Sequence, residues 1–177
     1  FDADCFPWSM DFSPRTMLLK DSVLELLPLK EYAHAAYQRT IDETPLLYGE
    51  KGEEKRRREI SYLNLRWFMQ TLLDRMDRTS MHAGLEARVP FADKRIVEYV
   101  WNVPWNMKCK DGVAKGLLRA AARDYLPPEV LSRRKSPYPK TYDPAYESLL
   151  RTELIKVISD KTAPLNEPVS YTHLTLP

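Results

Sequence analysis

The distribution of core-forming residues along the chain predicts a mainly helical protein. Between positions 53 and 78, such residues recur mostly three or four positions apart, at Ile60, Leu63, Trp67, Thr71, Leu72 and Met76. This spacing places them on one face of an α-helix, so we expect that face to be buried. Glycine is scarce, and alternating β-branched runs, which are typical of strands, are few.

Prolines and capping residues set the boundaries of the other predicted helices. Pro28 interrupts a helical pattern that begins at Asp21, and Asp93 is a suitable N-cap for a helix with Ile96, Val97, Val100 and Trp101 facing inward. Asp143 followed by Pro144 is a further helix start. We therefore predict helices over residues 21–27, 30–41, 94–103, 113–125, 129–133 and 144–159, with loops at 42–53 and a loop or short strand pair at 105–112.

Composition favours one domain or a large part of one, without a nucleic-acid or membrane role. The chain has 177 residues and a net charge of +2 with mixed signs, whereas nucleic-acid binders usually carry a strong basic excess. Its apolar runs are shorter than the roughly 18 residues of a membrane span. Cys5 and Cys109 lack partners at metal-site spacing, which indicates a reducing compartment, and we expect a cytoplasmic protein.

Both ends of the chain suggest a piece of a longer protein. It begins with Phe1 and shows no basic leader, and the final "VSYTHLTLP" departs from the preceding helical pattern. We expect residues 168–177 to be a non-native tail and exclude them from the fold.

The stretch "RRKSPYPK" at 133–140 holds three adjacent cations in a segment that its prolines stiffen. Lys115 and Arg119 lie four residues apart in "KGLLR", which places them on one face of a helix near its start. A turn at Pro127 and Pro128 would fold the chain back and bring these two residues and Lys135 toward one pocket that suits a polyphosphate. The alternative is a set of solvated surface cations.

A second charged segment, "DRTSMHAGLEARVPFAD" at 77–93, alternates in sign around an apolar loop and contains Glu86 and Arg88. These residues could line a site or form a structural ion-pair network. His82 has no second histidine nearby, so we predict no metal site here. The chain has no glycine-rich phosphate motif such as GxxxxGK[ST], so the remaining contacts to a nucleotide would come from elsewhere.

These segments together resemble the carboxy-terminal synthetase region of glutamine-hydrolysing asparagine synthetases. The matching pieces are "FPW" (6–8), "RRREISYLNLRWFMQ" (56–70), "LLDRMDRTSMHAGLEARVPFADKRIVEYVWNVP" (72–104) and "KGLLRAAARDYLPPEVLSRRKSPYPK" (115–140), and the resemblance spans roughly residues 6–158. The chain departs from the family pattern at Ala92, where leucine is usual. The resemblance implies that residues 1–167 form the helical carboxy-terminal part of an α/β adenine-nucleotide-hydrolase-like (ATP-pyrophosphatase) synthetase domain.

The resemblance also implies a reaction. Such enzymes use ATP and Mg²⁺ to adenylate the side-chain carboxylate of aspartate, and ammonia from an amino-terminal glutaminase domain then displaces AMP. Lys135 matches the family's catalytic lysine and Lys115 matches a phosphate-binding lysine. We expect Arg119, beside it, to bind phosphate or pyrophosphate together with Lys115. Glu86 and Arg88 match positions that would form the pocket wall.

The same resemblance implies that important parts lie outside this sequence. The SGGxDS loop that holds ATP and the glutaminase cysteine would precede Phe1, and Cys5 is not that cysteine. We therefore expect ATP and Mg²⁺ to be held mainly by upstream residues, and this chain to be inactive alone. Two alternatives remain open: a related β-lactam-type synthetase, and a helical interaction module without catalysis.

Overall fold

The computed structural model describes residues 4–136 and 143–170, and these are almost entirely helical. Ten α-helices occur in this part of the chain: α1 Ser13–Thr16, α2 Asp21–Leu24, α3 Leu29–Asp42, α4 Gly52–Leu63, α5 Gln70–His82, α6 Lys94–Trp101, α7 Trp105–Lys108, α8 Gly116–Ala121, α9 Pro128–Ser132 and α10 Pro144–Ser159. A π-helical segment, Asn64–Met69, joins α4 to α5. Short 3₁₀ turns occupy Pro90–Ala92, Lys110–Gly112 and Pro164–Asn166. No β-strand forms within the described residues, and the predicted mainly helical character is confirmed.

The chain divides into two compact units. The first comprises Phe1–Arg39 and Pro137–Pro177. Its buried hydrophobic residues are Phe6, Ala36 and Tyr37, and the Phe6 ring meets the Tyr37 ring edge-on at 5.7 Å between centroids. An isolated antiparallel bridge between Leu19 and Val169 ties the two sequence segments of this unit together.

The second unit, Thr40–Ser136, contains every residue that the sequence marks as a candidate for chemistry. Its central element is the continuous helix of α4, the π-helical segment and α5. Leu63 is its fully buried residue, and Thr40, Thr44, Arg58 and Glu59 are buried around it. Much of this small core is therefore polar or charged, and it depends on hydrogen bonds and ion pairs.

Several helix boundaries follow from local capping, as predicted. The Asp93 carboxylate accepts a hydrogen bond from the backbone N–H of Arg95 at 2.8 Å, and the Asp143 carboxylate accepts one from Ala145 at 2.9 Å. Pro144 occupies the first turn of α10, where its missing N–H costs nothing. Hydrogen bonds from the Arg95 side chain and backbone keep the pKa of Asp93 below its usual value, so the cap stays ionised.

The predicted buried face of the long helix is partly wrong. Leu63 is buried and Ile60 and Met76 are half-buried, but Trp67, Thr71 and Leu72 are exposed. The π-helical segment explains the difference, because its wider turns shift the helical phase and residues on either side no longer share one face. Ile96 is also exposed, since it lies on the flank of the α6 face formed by Val97, Val100 and Trp101.

Two other predicted elements differ from the structure. Residues 105–112 form α7 and a 3₁₀ turn, because Pro104 supplies the extended N-cap and no glycine or proline follows until Gly112. The predicted helix over 113–125 is shortened to α8, which begins only after Lys115. Lys115 adopts a left-handed conformation with φ 61° and ψ 30°, which no α-helix accommodates.

Candidate functional site

The region between α7 and the residues after α9 encloses an open cleft of about 1340 Å³, which we call the basic cleft. Among the described residues, seven lysines or arginines line it, against a single carboxylate, Asp111. The seven cations are Lys110, Lys115, Arg119, Arg123, Arg133, Arg134 and Lys135. Because the whole chain carries a net charge of only +2, the cleft concentrates positive charge far above the average for this protein.

The three cations singled out in the sequence, Lys115, Arg119 and Lys135, all line this cleft. Lys115 and Lys135 are exposed, and Arg119 is half-buried. Within the described residues, none of the three forms an ion pair with a carboxylate. Their positive charge is therefore available to an anion from outside this part of the chain.

Lys115 owes its position to an unusual backbone conformation. It is one of two non-glycine residues in the described chain with positive φ, the other being Asp111 with φ 56°. A left-handed conformation costs a non-glycine residue roughly 1–2 kcal/mol, so the surrounding structure must hold it. Such strain is common where a side chain must be aimed at a ligand.

Gly116, the next residue, packs closely against a neighbouring turn of the chain. A Cβ atom at position 116 would lie 2.7 Å from the backbone nitrogen of Lys110, which is closer than real Cβ contacts allow. The 3₁₀ turn Lys110–Gly112 therefore packs directly against the start of α8. This close approach explains the glycine in "KGLLR". It also holds the Lys110–Gly112 turn against Gly116, the residue that follows Lys115.

The Arg119 guanidinium is hydrogen-bonded to two backbone carbonyls. Its Nε donates to the carbonyl oxygen of Ala114 at 3.0 Å, and its Nη2 donates to the carbonyl oxygen of Arg133 at 3.1 Å. The sequence places Lys115 and Arg119 one turn apart on a helix, but Lys115 in fact precedes the helix as its N-cap residue.

Glu86 and Arg88 do not line the basic cleft. Arg88 donates to the Glu86 carboxylate through Nε at 3.0 Å and Nη2 at 3.3 Å, and both side chains are exposed on the loop between α5 and the Pro90–Ala92 turn. An exposed pair of this kind contributes little to stability. Their role as a pocket wall remains a prediction.

A second cluster of charges, which the sequence did not predict, lies in the core of the same unit. Arg58 and Glu50 are both about nine-tenths buried and form an ion pair at 2.5 Å from Nε to Oε2. Arg58 Nη1 donates to the carbonyl oxygen of Trp101 at 2.6 Å, and its guanidinium lies over the Trp101 ring at 5.1 Å. We call these three residues the Arg58 cluster.

Two pKa values are lowered in this region, that of Glu50 within the Arg58 cluster and that of Lys108 beside it. The hydrogen bond from Arg58 lowers the pKa of Glu50, despite the opposing effect of burial. Lys108 lies close by, and its pKa is also lowered, first by desolvation and then by the positive charge of Arg58. No local pattern could have revealed this cluster, since Arg58 and Trp101 are 43 positions apart.

The described residues offer no ligand set for a metal ion. No group of three or more His, Cys, Asp and Glu side chains among them is arranged to hold one. The basic cleft, with one carboxylate, suits phosphate oxygens and not a divalent cation. Both cysteines are free, and none of the helices in the described part of the chain has the length and apolar character needed to cross a membrane.

Comparison with known proteins agrees with the resemblance carried by these motifs. The family model for asparagine synthase matches residues 3–175, so the chain belongs to the asparagine synthase family.

Individual relatives give the same family. The chain is 52% identical over 161 residues to asparagine synthetase [glutamine-hydrolyzing] 3 of Bacillus subtilis (strain 168), covering 91% of this chain and 26% of that protein. Asparagine synthetase [glutamine-hydrolyzing] 1 of the same organism is 29% identical over 136 residues, covering 76% of this chain and 21% of that protein. The asparagine synthetase [glutamine-hydrolyzing] of Rattus norvegicus is 40% identical over 92 residues, covering 50% of this chain and 16% of that protein. The chain thus spans about a quarter or less of each.

Proposed function

We propose that this chain is the carboxy-terminal part of an ATP-dependent amidotransferase that makes asparagine from aspartate, with glutamine as the nitrogen source. The observation that carries the proposal is the basic cleft, where Lys115 and Lys135, the two lysines of the family motifs, line one open cavity. Neither lysine forms an ion pair with a carboxylate among the described residues. The names of the relatives support asparagine as the product.

In this proposal, the first step is adenylation of aspartate. An oxygen of the side-chain carboxylate forms a bond to the α-phosphorus of ATP, and the bond from that phosphorus to the bridging oxygen of the β-phosphate breaks. Pyrophosphate leaves with the electron pair and its added negative charge. Lys115 and the neighbouring cations of the cleft neutralise that charge, because preorganised cations stabilise a charge that develops in the transition state.

Ammonia then attacks the carbonyl carbon of the aspartyl adenylate. The carbon–oxygen bond to AMP breaks, and the nitrogen releases a proton as the amide forms. Lys135 stabilises negative charge on the reacting groups in these steps, as an ammonium group held in a fixed loop. The nucleotide loop and the glutaminase domain lie upstream in this proposal, and Mg²⁺ is assigned mainly to that upstream part.

The test is an assay of the intact protein with aspartate, glutamine, ATP and Mg²⁺. Asparagine, AMP and pyrophosphate should form in equal amounts, and the 177-residue chain alone should form none. Release of pyrophosphate without asparagine, in the presence of a substrate that can close a β-lactam ring, would favour the ring-closing alternative. Failure to bind or hydrolyse ATP at all would favour the interaction module.

A further inference from the structure

The side chain of Arg119 connects the two backbone segments that carry Lys115 and Lys135. Its Nε bonds the carbonyl of Ala114, immediately before Lys115, and its Nη2 bonds the carbonyl of Arg133, two residues before Lys135. Both carbonyls lie outside the helices, and neither accepts another hydrogen bond within the described residues. Arg119 is therefore their shared partner.

Only an arginine has the geometry for this connection. The guanidinium is planar and carries donors on Nε and Nη2 at fixed positions, whereas a lysine is a single ammonium on a flexible stem. A lysine at position 119 would keep the charge but could not hold both carbonyls in the same arrangement. Charge and connection can therefore be separated by substitution.

The backbone at Lys115 needs such support. Its left-handed conformation is unfavourable for a residue with a Cβ atom, and a chain free to relax would leave it. The packing of Gly116 on Lys110 holds the residue from the carboxyl side. The bond from Arg119 to Ala114 holds it from the amino side.

We infer that Arg119 is a positioning residue, which fixes the spacing of Lys115 and Lys135 across the basic cleft through their backbones. This inference rests on the proposed function for its catalytic consequence, and it revises the expectation that Arg119 itself binds phosphate. A small displacement of one lysine relative to the other would weaken stabilisation of the charge that develops between them.

The experiment compares Arg119→Lys, Arg119→Gln and Arg15→Lys in the intact protein. Arg15 does not line the basic cleft, is exposed, and donates a hydrogen bond from Nη1 to Ser9 Oγ at 2.6 Å, so Arg15→Lys is a matched, charge-conserving change. We expect Arg119→Lys and Arg119→Gln to lower kcat for asparagine formation by a similar factor, on the order of 10- to 100-fold. The KM for ATP should change less than threefold or so, because the charges that bind phosphate remain.

The same assay distinguishes this positioning role from direct binding of phosphate by Arg119. If Arg119 binds phosphate directly, Arg119→Lys should retain most activity and Arg119→Gln should raise the KM for ATP. That result would overturn the inference. An equal loss of kcat in Arg15→Lys would overturn it too, because the effect would then not be specific to the position of Arg119.

A second measurement does not depend on catalysis. Amide hydrogen exchange followed by mass spectrometry should show faster exchange in peptides that cover 110–118 and 129–136 in Arg119→Lys, relative to Arg15→Lys. If the wild-type protein makes no asparagine but this loosening occurs, the proposed function fails and the positioning role stands. If both peptides exchange as in the wild type, the positioning role is wrong whatever the activity.

Discussion

The Arg58 cluster and the basic cleft, both in the second unit, differ in how their positive charge is compensated. Arg58 is buried, and it is paired with the Glu50 carboxylate, the Trp101 carbonyl and the Trp101 ring. In the basic cleft, seven cations face one carboxylate, and the motif lysines are exposed. A buried charge without a partner is costly, so the partners of Arg58 are what permit its burial. Cations that repel one another in an open cleft do not stabilise the fold, and their charge is open to an external anion.

The largest expected effect is on catalysis at the cleft. Lys135→Met should lower kcat for asparagine formation by on the order of 10³-fold, because removal of one preorganised charge leaves the developing negative charge unsupported. Steady-state kinetics on the intact protein provide the measurement. Lys156→Met, which removes an exposed lysine paired with Glu153 in α10, is the control and should keep normal kcat. Activity in Lys135→Met close to that of the control would remove the cleft from the mechanism.

The Arg58 cluster should respond in stability. Arg58→Met leaves Glu50 buried without its partner, and we expect a loss of about 3 kcal/mol in the free energy of unfolding. Urea denaturation of the intact protein, followed by tryptophan fluorescence, measures it.

The double variant Arg58→Met/Glu50→Leu is the matched control for that experiment. It removes both charges and should recover most of the stability, since replacing a buried pair by apolar residues is often close to neutral. If the double variant is as unstable as Arg58→Met, packing of the Arg58 stem and not its charge explains the loss.

Lys115 allows stability and binding to be separated at one residue. Lys115→Gly relieves the left-handed strain, so it should unfold at higher urea concentration than Lys115→Ala, by about 1 kcal/mol in free energy. Both variants lose the ammonium group and should raise the KM for ATP roughly tenfold. Equal stability of the glycine and alanine variants would mean that the positive φ at position 115 carries no cost.

The smallest expected effect is in acid. The pKa of Glu50 is lowered in the folded protein, so its pairing stabilises the fold fully above the unfolded-state pKa of about 4.3. That contribution is lost as the pH falls through the lower, folded-state value. Stability of the wild type should therefore decrease more steeply between about pH 5 and pH 3 than that of Glu50→Gln. Parallel pH profiles would show that Glu50 does not contribute to acid sensitivity.

The sequence predicted the helix starts that depend on contacts between residues close together in the chain. Asp93 and Asp143 mark helix starts because a carboxylate at the N-cap satisfies a free N–H within the same few residues. The sequence also predicted that Lys115, Arg119 and Lys135 share one pocket, since a proline turn joins two short cationic segments, but it did not predict Lys110 or Arg123 there. The contacts of Arg58 could not, because they depend on how α4 and α6 pack.

The left-handed residue before α8 was also beyond sequence reasoning. A glycine usually takes positive φ at such a turn, but here Gly116 is needed for its small size and Lys115 takes the positive φ instead. The tail boundary at residue 168 and the roles of Glu86 and Arg88 remain predictions. Positions 171–177 of that tail and positions 137–140 of "RRKSPYPK" lie outside the described residues.

The π-helical segment Asn64–Met69 has a consequence for the motif that follows it. Asn64, its first residue, and Thr71, in the first turn of α5, donate side-chain hydrogen bonds to the carbonyls of Ile60 and Trp67 four residues earlier, at 2.8 and 2.7 Å. If the same residues were wound as an ordinary α-helix, every later side chain would turn by about 100° around the axis. The direction in which the "DRTS" residues project therefore depends on the wider winding of a segment that precedes them in the chain.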